Sequence, residues 1–215
     1  MNTPVFHLHP PKTGGSTIIK TVMRYFSQPV QNIYRDSPTG SIHLLPGSGG
    51  TTPEDHFSLS VRNPYQRFVS MVRFYPSKIK FLCDNENPIG TFFFNMERMK
   101  HSPKRHTPAR MHSHQDFILW STQSDWYNLA KGDISVIKFE TLKQDMARVY
   151  NIANDELFLH IQQFHREYVL SDWTRAFPSQ HKLNQFNEIV TSDFELFGYN
   201  RFDHIDDLFD SFISA

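Results

Sequence analysis

The sequence predicts an α/β fold in which a central, mostly parallel sheet is followed by a helical C-terminal part. Three short segments have the patterns of strands. Pro4–His9 and Phe57–Arg62 alternate apolar and polar residues, and Ile134–Phe139 is β-branched and mostly apolar. A helical pattern follows each of them. Because parallel strands of one sheet are joined by crossovers that are usually helices, this repeated strand-then-helix order favours a parallel sheet.

Apolar periodicity defines the helices that follow these strands. In the first helix, isoleucine, valine and phenylalanine residues form a stripe on one face. The second has a good N-cap in Asn63 and a good first residue in Pro64. From Asp155 onward the chain is rich in phenylalanine and has helical patterns. The first three predicted helices cover Ser16–Phe26, Tyr65–Tyr75 and Leu142–Tyr150.

Length and composition limit the class of protein. The chain has 215 residues, which is typical of one domain, so we predict a single domain over residues 1–215. Lys+Arg and Asp+Glu number 22 each, so no overall charge attracts nucleic acid or an anionic membrane, and any positive site must be local. The single cysteine, Cys83, fits a reducing compartment. With no apolar run of about 18 residues, we predict a cytoplasmic protein without a membrane segment in this chain.

The loop "PPKTGGST" after the first strand has the features of an anion site. Gly14 and Gly15 allow the backbone to approach a ligand closely, and the N-terminus of the following helix adds partial positive charge. Lys12 supplies a full charge. The hydroxyls of Ser16 and Thr17 can cap the helix or bind the same anion. The plain alternative is a glycine turn capped by Ser16.

The order of residues in this loop separates it from the loop of nucleoside-triphosphate enzymes. That loop, GxxxxGK[ST], places its lysine after the glycines and directly before Ser or Thr. Here Lys12 precedes Gly14 and Gly15. The inverted order argues against a kinase or an NTPase.

A second segment, "SVRNPYQRFVSMVRFY", also suits an anion. Arg62 is predicted at the carboxyl end of a strand, which is where open α/β sheets bind ligands, and its planar fork suits a phosphate. Ser70 follows two turns into the next helix, three residues after Arg67. Two such strand-to-helix junctions predict one ligand with two separated anionic groups.

These two segments resemble the signature motifs of the carbohydrate-type sulfotransferase family, which uses 3′-phosphoadenosine 5′-phosphosulfate (PAPS). "HPPKTGGST" is similar to the family's PKTGGT/S motif, and "VRNPYQRFVSMVRFY" is similar to VRDPxxRxVSxY, with Asn63 in place of the usual Asp. Their order and their separation of about fifty residues also match. "ISVIKFETLKQDM" and "SDFELFGY" are weaker similarities. The resemblance implies a three-layer, P-loop-like sulfotransferase architecture with helices on both faces of the sheet.

The resemblance also implies roles for single residues. Arg62 and Ser70 would hold the 3′-phosphate of PAPS. The reaction would be in-line transfer of a sulfuryl group to a hydroxyl or amine acceptor, with a carbohydrate as the expected acceptor, and without a metal. The residues that would hold the 5′-phosphosulfate are Lys12, Thr13, Gly14, Gly15, Ser16 and Thr17.

The predicted catalytic residues are Lys12 and His43. Lys12 would stabilise the charge that grows on the leaving phosphate. His43 would act as the general base toward the acceptor, because imidazole titrates near neutral pH and this histidine lies in a long loop; an ordinary loop histidine is the alternative.

Two other functional classes stay open at this point. An ATP-dependent P-loop phosphotransferase would require magnesium. A non-catalytic relative would bind the nucleotide without turnover. A metal site at His7 and His9 is a further possibility, because these residues share one face of the first predicted strand. It lacks a third ligand at a spacing typical of metal sites.

Overall fold

The computed structural model describes residues 6–25, 52, 54–74, 121–153 and 168–213. This part of the chain forms an α/β structure with a three-stranded parallel sheet and eight helices, which confirms the predicted α/β class with a parallel sheet. The strands are β1 Phe6–Leu8, β2 Phe57–Val61 and β3 Ile134–Lys138.

Each predicted strand is followed by its predicted helix, with bounds that differ by a residue or two. The first helix begins one residue early, at Gly15, and the second begins at Pro64 as its sequence indicates. The helices are α1 Gly15–Tyr25, α2 Pro64–Phe74, α3 Gln123–Tyr127, α4 Leu142–Tyr150, α5 Leu170–Ala176, α6 Gln180–Ile189, α7 Thr191–Phe197 and α8 Ile205–Ile213.

The contacts of the chain divide it into two compact units. The first unit comprises Met1–Arg62 and Gln123–Phe164, and the second comprises Asn63–Thr122 and His165–Ala215. The prediction of a single domain over residues 1–215 stays a prediction.

The first unit contains the sheet, in the order β1-β2-β3. Phe57 pairs with Phe6 on one side and with Ile134 on the other, which sets the register of the three strands. The central strand β2 is buried along its whole length, so its polar residues Ser58 and Ser60 are buried as well. Its alternation of apolar and polar residues therefore marks two buried faces rather than one buried and one solvent-exposed face.

Helices α1 and α4 pack with β3 to form an apolar core in the first unit. Ile18 and Val22 contribute the stripe that the sequence predicts for α1, and both are buried. The other members of this core are Ile137, Leu142, Met146, Val149 and Tyr150. A buried helix stripe against a strand supplies the hydrophobic stabilisation that short elements lack by themselves.

The second unit is held by aromatic rings that surround Tyr65. Its ring centroid lies 5.1 Å from that of Phe194 and 5.6 Å from that of Phe186. The Tyr65 hydroxyl donates to Asn187 Oδ1 at 2.7 Å and accepts from the backbone N–H of Phe202 at 2.9 Å. Burial of this side chain raises the pKa of Tyr65 to about 12, so the phenol stays neutral.

The predicted cap of α2 is also present. The side-chain oxygen of Asn63 accepts from the backbone N–H of Tyr65 at 3.0 Å and from that of Gln66 at 3.4 Å. The helix begins at Pro64, whose missing N–H leaves no donor unsatisfied there. Among the described residues, no helix is long and apolar enough to cross a membrane.

Candidate functional site

The loop between β1 and α1 has an unusual backbone. Lys12 and Gly14 have φ values of 68° and 86°, in the left-handed region, with Thr13 between them at negative φ. Gly14 adopts this conformation without strain, but for Lys12 the same conformation costs about 1–3 kcal/mol. Alternation of this kind turns successive backbone N–H groups toward one side, which makes a concavity suited to an anion. The strained residue is the one that carries the charge.

Both glycines of the loop are in close contact with aromatic rings. A Cβ atom on Gly14 would lie 2.5 Å from Cδ2 of Phe139, the residue that follows β3. A Cβ atom on Gly15 would overlap the ring of His9. The loop therefore packs at these two positions in a way that only glycine permits.

The N-terminus of α1 opens from this loop. The first helical hydrogen bonds run from the N–H groups of Thr17 and Ile18 to the carbonyl oxygen of Gly14, at 2.9 and 3.2 Å. The N–H groups of Gly15 and Ser16 therefore precede the intrahelical ladder. Together with the dipole of an 11-residue helix, they create positive potential at the same place.

Thr13 anchors the loop to the sheet. Its hydroxyl donates to the carbonyl oxygen of Pro10 at 2.7 Å and lies 2.7 Å from the hydroxyl oxygen of Ser60 on β2. The side chain is fully buried. Because the hydroxyl is engaged in this way, the prediction that Thr13 binds an anion rests on its backbone N–H.

Lys12 and Arg62 form a pair of like charges in the first unit. Burial of the Lys12 side chain, and then the positive charge of Arg62, lower the pKa of Lys12 from 10.5 to about 8. Arg62 itself is only 7% exposed. Two neighbouring cations that are partly removed from water repel each other, and anionic groups bound beside them would relieve this repulsion.

Arg62 is held on two sides. Its backbone N–H donates to Gln123 Oε1 at 2.7 Å, and its carbonyl oxygen accepts from Gln123 Nε2 at 2.9 Å, so a buried side chain takes the place of a neighbouring strand. Its guanidinium carbon lies 4.3 Å from the centroid of the Phe139 ring, a cation–π contact. The backbone and the charged group of Arg62 thus have separate supports.

The structure thus gathers part of the predicted site in the first unit. Lys12 is close enough to Arg62 for their charges to interact, and Phe139 touches both Gly14 and Arg62. Thr17 is buried in the first turn of α1. Ser70 is buried on α2, in the second unit. The side chain of Ser16 and all of His43 lie outside the described residues.

Three supporting residues were not predicted from the sequence: Gln123, Phe139 and Ser60. Phe139 could have been found, because it directly follows a strand at the same sheet edge as His9 and Arg62. Ser60 could have been found by its alternation with Ser58 on a central strand. Gln123 carries no local signal, since its contact with Arg62 is made across 61 positions of the chain.

His7 in β1 and His9 directly after it lie side by side, and His7 belongs to a buried polar network. Their ring centroids are 6.2 Å apart, and His7 Nδ1 lies 2.9 Å from Ser58 Oγ, which lies 2.8 Å from the Tyr150 hydroxyl. Burial lowers the pKa of His7 to about 3 and raises that of Tyr150 to about 12, so both are neutral near pH 7. Within the described ranges, no group of three or more His, Cys, Asp or Glu residues is placed to hold a metal ion.

Comparisons with protein-family models, with curated proteins and with solved structures find no match.

Proposed function

We propose that this protein is a sulfotransferase that moves a sulfuryl group from PAPS to a hydroxyl or amine acceptor, with a carbohydrate as the acceptor class. The observation that carries the proposal is the proximity of two cations, Lys12 and Arg62, at the carboxyl edge of a parallel sheet. Lys12 lies, in a left-handed conformation, in the glycine loop that joins β1 to α1. Parallel sheets bind their ligands at this edge.

The chemistry of these groups fits a ligand with two anionic parts. The loop offers Lys12 and the N–H groups around Gly14 and Gly15, which suits one anion. Arg62, at the end of the next strand, offers a planar fork that suits a phosphate. PAPS carries a 5′-phosphosulfate and a 3′-phosphate, which agrees with one anion for each group. The resemblance of both segments to sulfotransferase motifs supports the same assignment.

The proposed architecture is the three-layer, P-loop-like fold of that family. In support, the chain has a parallel sheet, and a glycine loop joins its first strand to a helix. The position of Lys12 before the glycines favours this family over nucleoside-triphosphate enzymes, whose lysine follows the glycines.

PAPS would supply an activated sulfuryl group that leaves its phosphate by in-line displacement. The task of the protein is to hold the anion in place and to stabilise the charge that develops on the leaving phosphate. Lys12 is suited to the second task, because its pKa of about 8 keeps most of its amino groups protonated, and so positively charged, at neutral pH. The same pKa is near enough to neutral pH for the amino group to release a proton. His43 remains the predicted base toward the acceptor.

The test is calorimetric titration with 3′-phosphoadenosine 5′-phosphate, the desulfated donor. We expect wild type to bind this bisphosphate in the micromolar range and Arg62→Ala to lose about 30-fold or more in affinity, since a charge-assisted contact contributes about 2–3 kcal/mol. ATP with magnesium is the comparison ligand. Arg148→Ala is the matched control, because this arginine of the same unit has an exposed side chain on α4.

A preference of wild type for ATP with magnesium, or no binding of either nucleotide, would refute the proposal. Equal losses in the Arg62 and Arg148 variants would show that binding depends on overall charge rather than on this site. Binding without sulfuryl transfer to any carbohydrate or small hydroxyl acceptor would favour a non-catalytic nucleotide-binding protein.

A further inference from the structure

Phe139 has an unusual position for a phenylalanine that follows a strand. One edge of its ring lies against Gly14, so closely that no Cβ atom fits there. Its face lies under the guanidinium of Arg62, 4.3 Å from the ring centroid. A single side chain thus touches the glycine loop and the arginine, the two segments that would bind the two ends of the donor.

The backbone around this ring is fixed. The N–H of Phe139 donates to the carbonyl oxygen of Val61 at 2.8 Å, which extends the pairing of β2 with β3 by one residue. Gln123 holds the N–H and the carbonyl oxygen of Arg62. Because both backbones are held in this way, the remaining freedom of the Arg62 side chain is in its rotamers, and the Phe139 ring limits those.

Contact with the face of the Phe139 ring prepares the Arg62 guanidinium to bind a phosphate in more than one way. The guanidinium is attracted to the ring and still directs its N–H groups outward in the plane of the fork, where a phosphate can accept them. The flat ring also sets how far the guanidinium lies from Gly14. An aliphatic side chain would fill similar volume without this attraction or this flatness.

We propose that Phe139 is a positioning residue that sets the spacing between the glycine loop and Arg62, and so selects ligands with two anionic groups over ligands with one. This inference rests on the proposed function, because it assigns one anionic group of the donor to each segment. Phe139 touches neither the reacting atoms nor the donor in this account; it acts through Gly14 and Arg62.

The test compares two nucleotides on three proteins by calorimetry. The nucleotides are 3′-phosphoadenosine 5′-phosphate, which has both anionic groups, and adenosine 5′-phosphosulfate, which lacks the 3′-phosphate. The proteins are wild type, Phe139→Leu and Phe139→Tyr. We expect Phe139→Leu to weaken binding of the bisphosphate about 5- to 20-fold, the range of a partly desolvated cation–π contact, and to change that of adenosine 5′-phosphosulfate less than about 2-fold. Phe139→Tyr keeps the aromatic face and should restore the wild-type ratio.

The control for general loss of packing is Phe57→Leu. Phe57 is a buried phenylalanine at the opposite end of β2 from Arg62, and it packs on Phe6. We expect it to lower the melting temperature and to leave the ratio of the two affinities unchanged. A drop in that ratio as large as in Phe139→Leu would mean that packing of the sheet, not the ring under Arg62, sets selectivity, and would overturn the inference.

Other outcomes separate this inference from the proposed function. If wild type binds the bisphosphate but Phe139→Leu weakens both nucleotides equally, or neither, Phe139 has no selective role and the inference alone fails. If wild type does not bind the bisphosphate, the proposed function fails and the inference fails with it. If Phe139→Tyr does not restore the ratio, the aromatic face is not the cause.

Discussion

The two units of this protein are built from different kinds of buried groups. The first has buried hydroxyls, imidazoles and an amide side chain among its strands. Examples are the contact of His7 with Ser58 and the two hydrogen bonds of Gln123 with the Arg62 backbone. In the second, aromatic rings such as those of Tyr65, Phe177 and Phe186 lie within about 6 Å of one another. The first unit combines directional hydrogen bonds with its apolar core, whereas ring packing predominates in the second.

This difference indicates which unit is suited to hold a charged ligand. Hydrogen bonds fix the direction of a backbone, which the strained loop at Lys12 and the end of β2 require. Contacts between phenylalanine rings stabilise a unit strongly, but they contain no hydrogen bond that could direct a polar group. We therefore expect substitutions in the aromatic interior to change stability most, and substitutions beside the loop to change ligand binding at smaller cost in stability.

The largest expected effect on stability is that of Phe186→Ala in the second unit. The Phe186 ring contacts Tyr65, Phe68 and Phe177, with ring-centroid distances from 4.9 to 5.6 Å. Its removal should lower the free energy of unfolding by about 3–5 kcal/mol, measured by urea denaturation. A loss below about 1 kcal/mol would contradict the account of the aromatic interior.

The next effect is that of Ser58→Ala in the first unit. The Ser58 hydroxyl lies within hydrogen-bond distance of His7 and Tyr150, which are both buried. Its loss leaves buried polar atoms without this partner, so we expect a cost of about 2–3 kcal/mol in the same denaturation experiment. Ser171→Ala, on an exposed position of α5, is the control and should change little. A cost of Ser58→Ala equal to that of the control would mean that the polar network does not stabilise the sheet.

A smaller effect of opposite sign is expected for Lys12→Met. The pKa of Lys12 is lowered from 10.5 to about 8, so the folded protein binds fewer protons than the unfolded chain between these values. Stability therefore rises with pH across that window, and the penalty for burying the cation is fully present below about pH 8. Removing the charge should raise the melting temperature at neutral pH by about 1–3 °C. The gain should shrink above that pH, and a constant gain at all pH values would refute this explanation.

The smallest effect is expected for Asn63→Asp, which converts the second segment to the usual sulfotransferase sequence. Both residues are good N-caps, and the cap of α2 is made here by the side-chain oxygen of Asn63. The free energy of unfolding should change by less than about 0.5 kcal/mol, whereas Asn63→Ala should cost about 1 kcal/mol. A large loss in the aspartate variant would show that the amide N–H₂ of Asn63 has a role of its own.

Local signals in the sequence were sufficient to predict the strands and helices discussed above and the Asn63 cap of α2. Strand alternation, the stripe of Ile18 and Val22, and the Asn63-Pro64 pair each depend on neighbours a few positions away, and each is present in the structure. The supports of Arg62 depend on contacts made across 61 and 77 positions, at Gln123 and Phe139, which no local pattern encodes. The left-handed conformation of Lys12 was also not predicted, since lysine seldom adopts it. The predicted role of His43 lies outside the described residues.

The most direct test of the account is the pH dependence of binding of 3′-phosphoadenosine 5′-phosphate between about pH 7 and about pH 9.5, a range in which its phosphates keep their full charge. Because protonated Lys12 would contact the anion, and its pKa in the free protein is about 8, affinity should be constant below that value and fall above it by up to about tenfold per pH unit. Lys12→Arg should flatten this dependence, since arginine keeps its charge. Affinity of wild type that stays constant over the whole range would contradict the claim that Lys12 binds the anion.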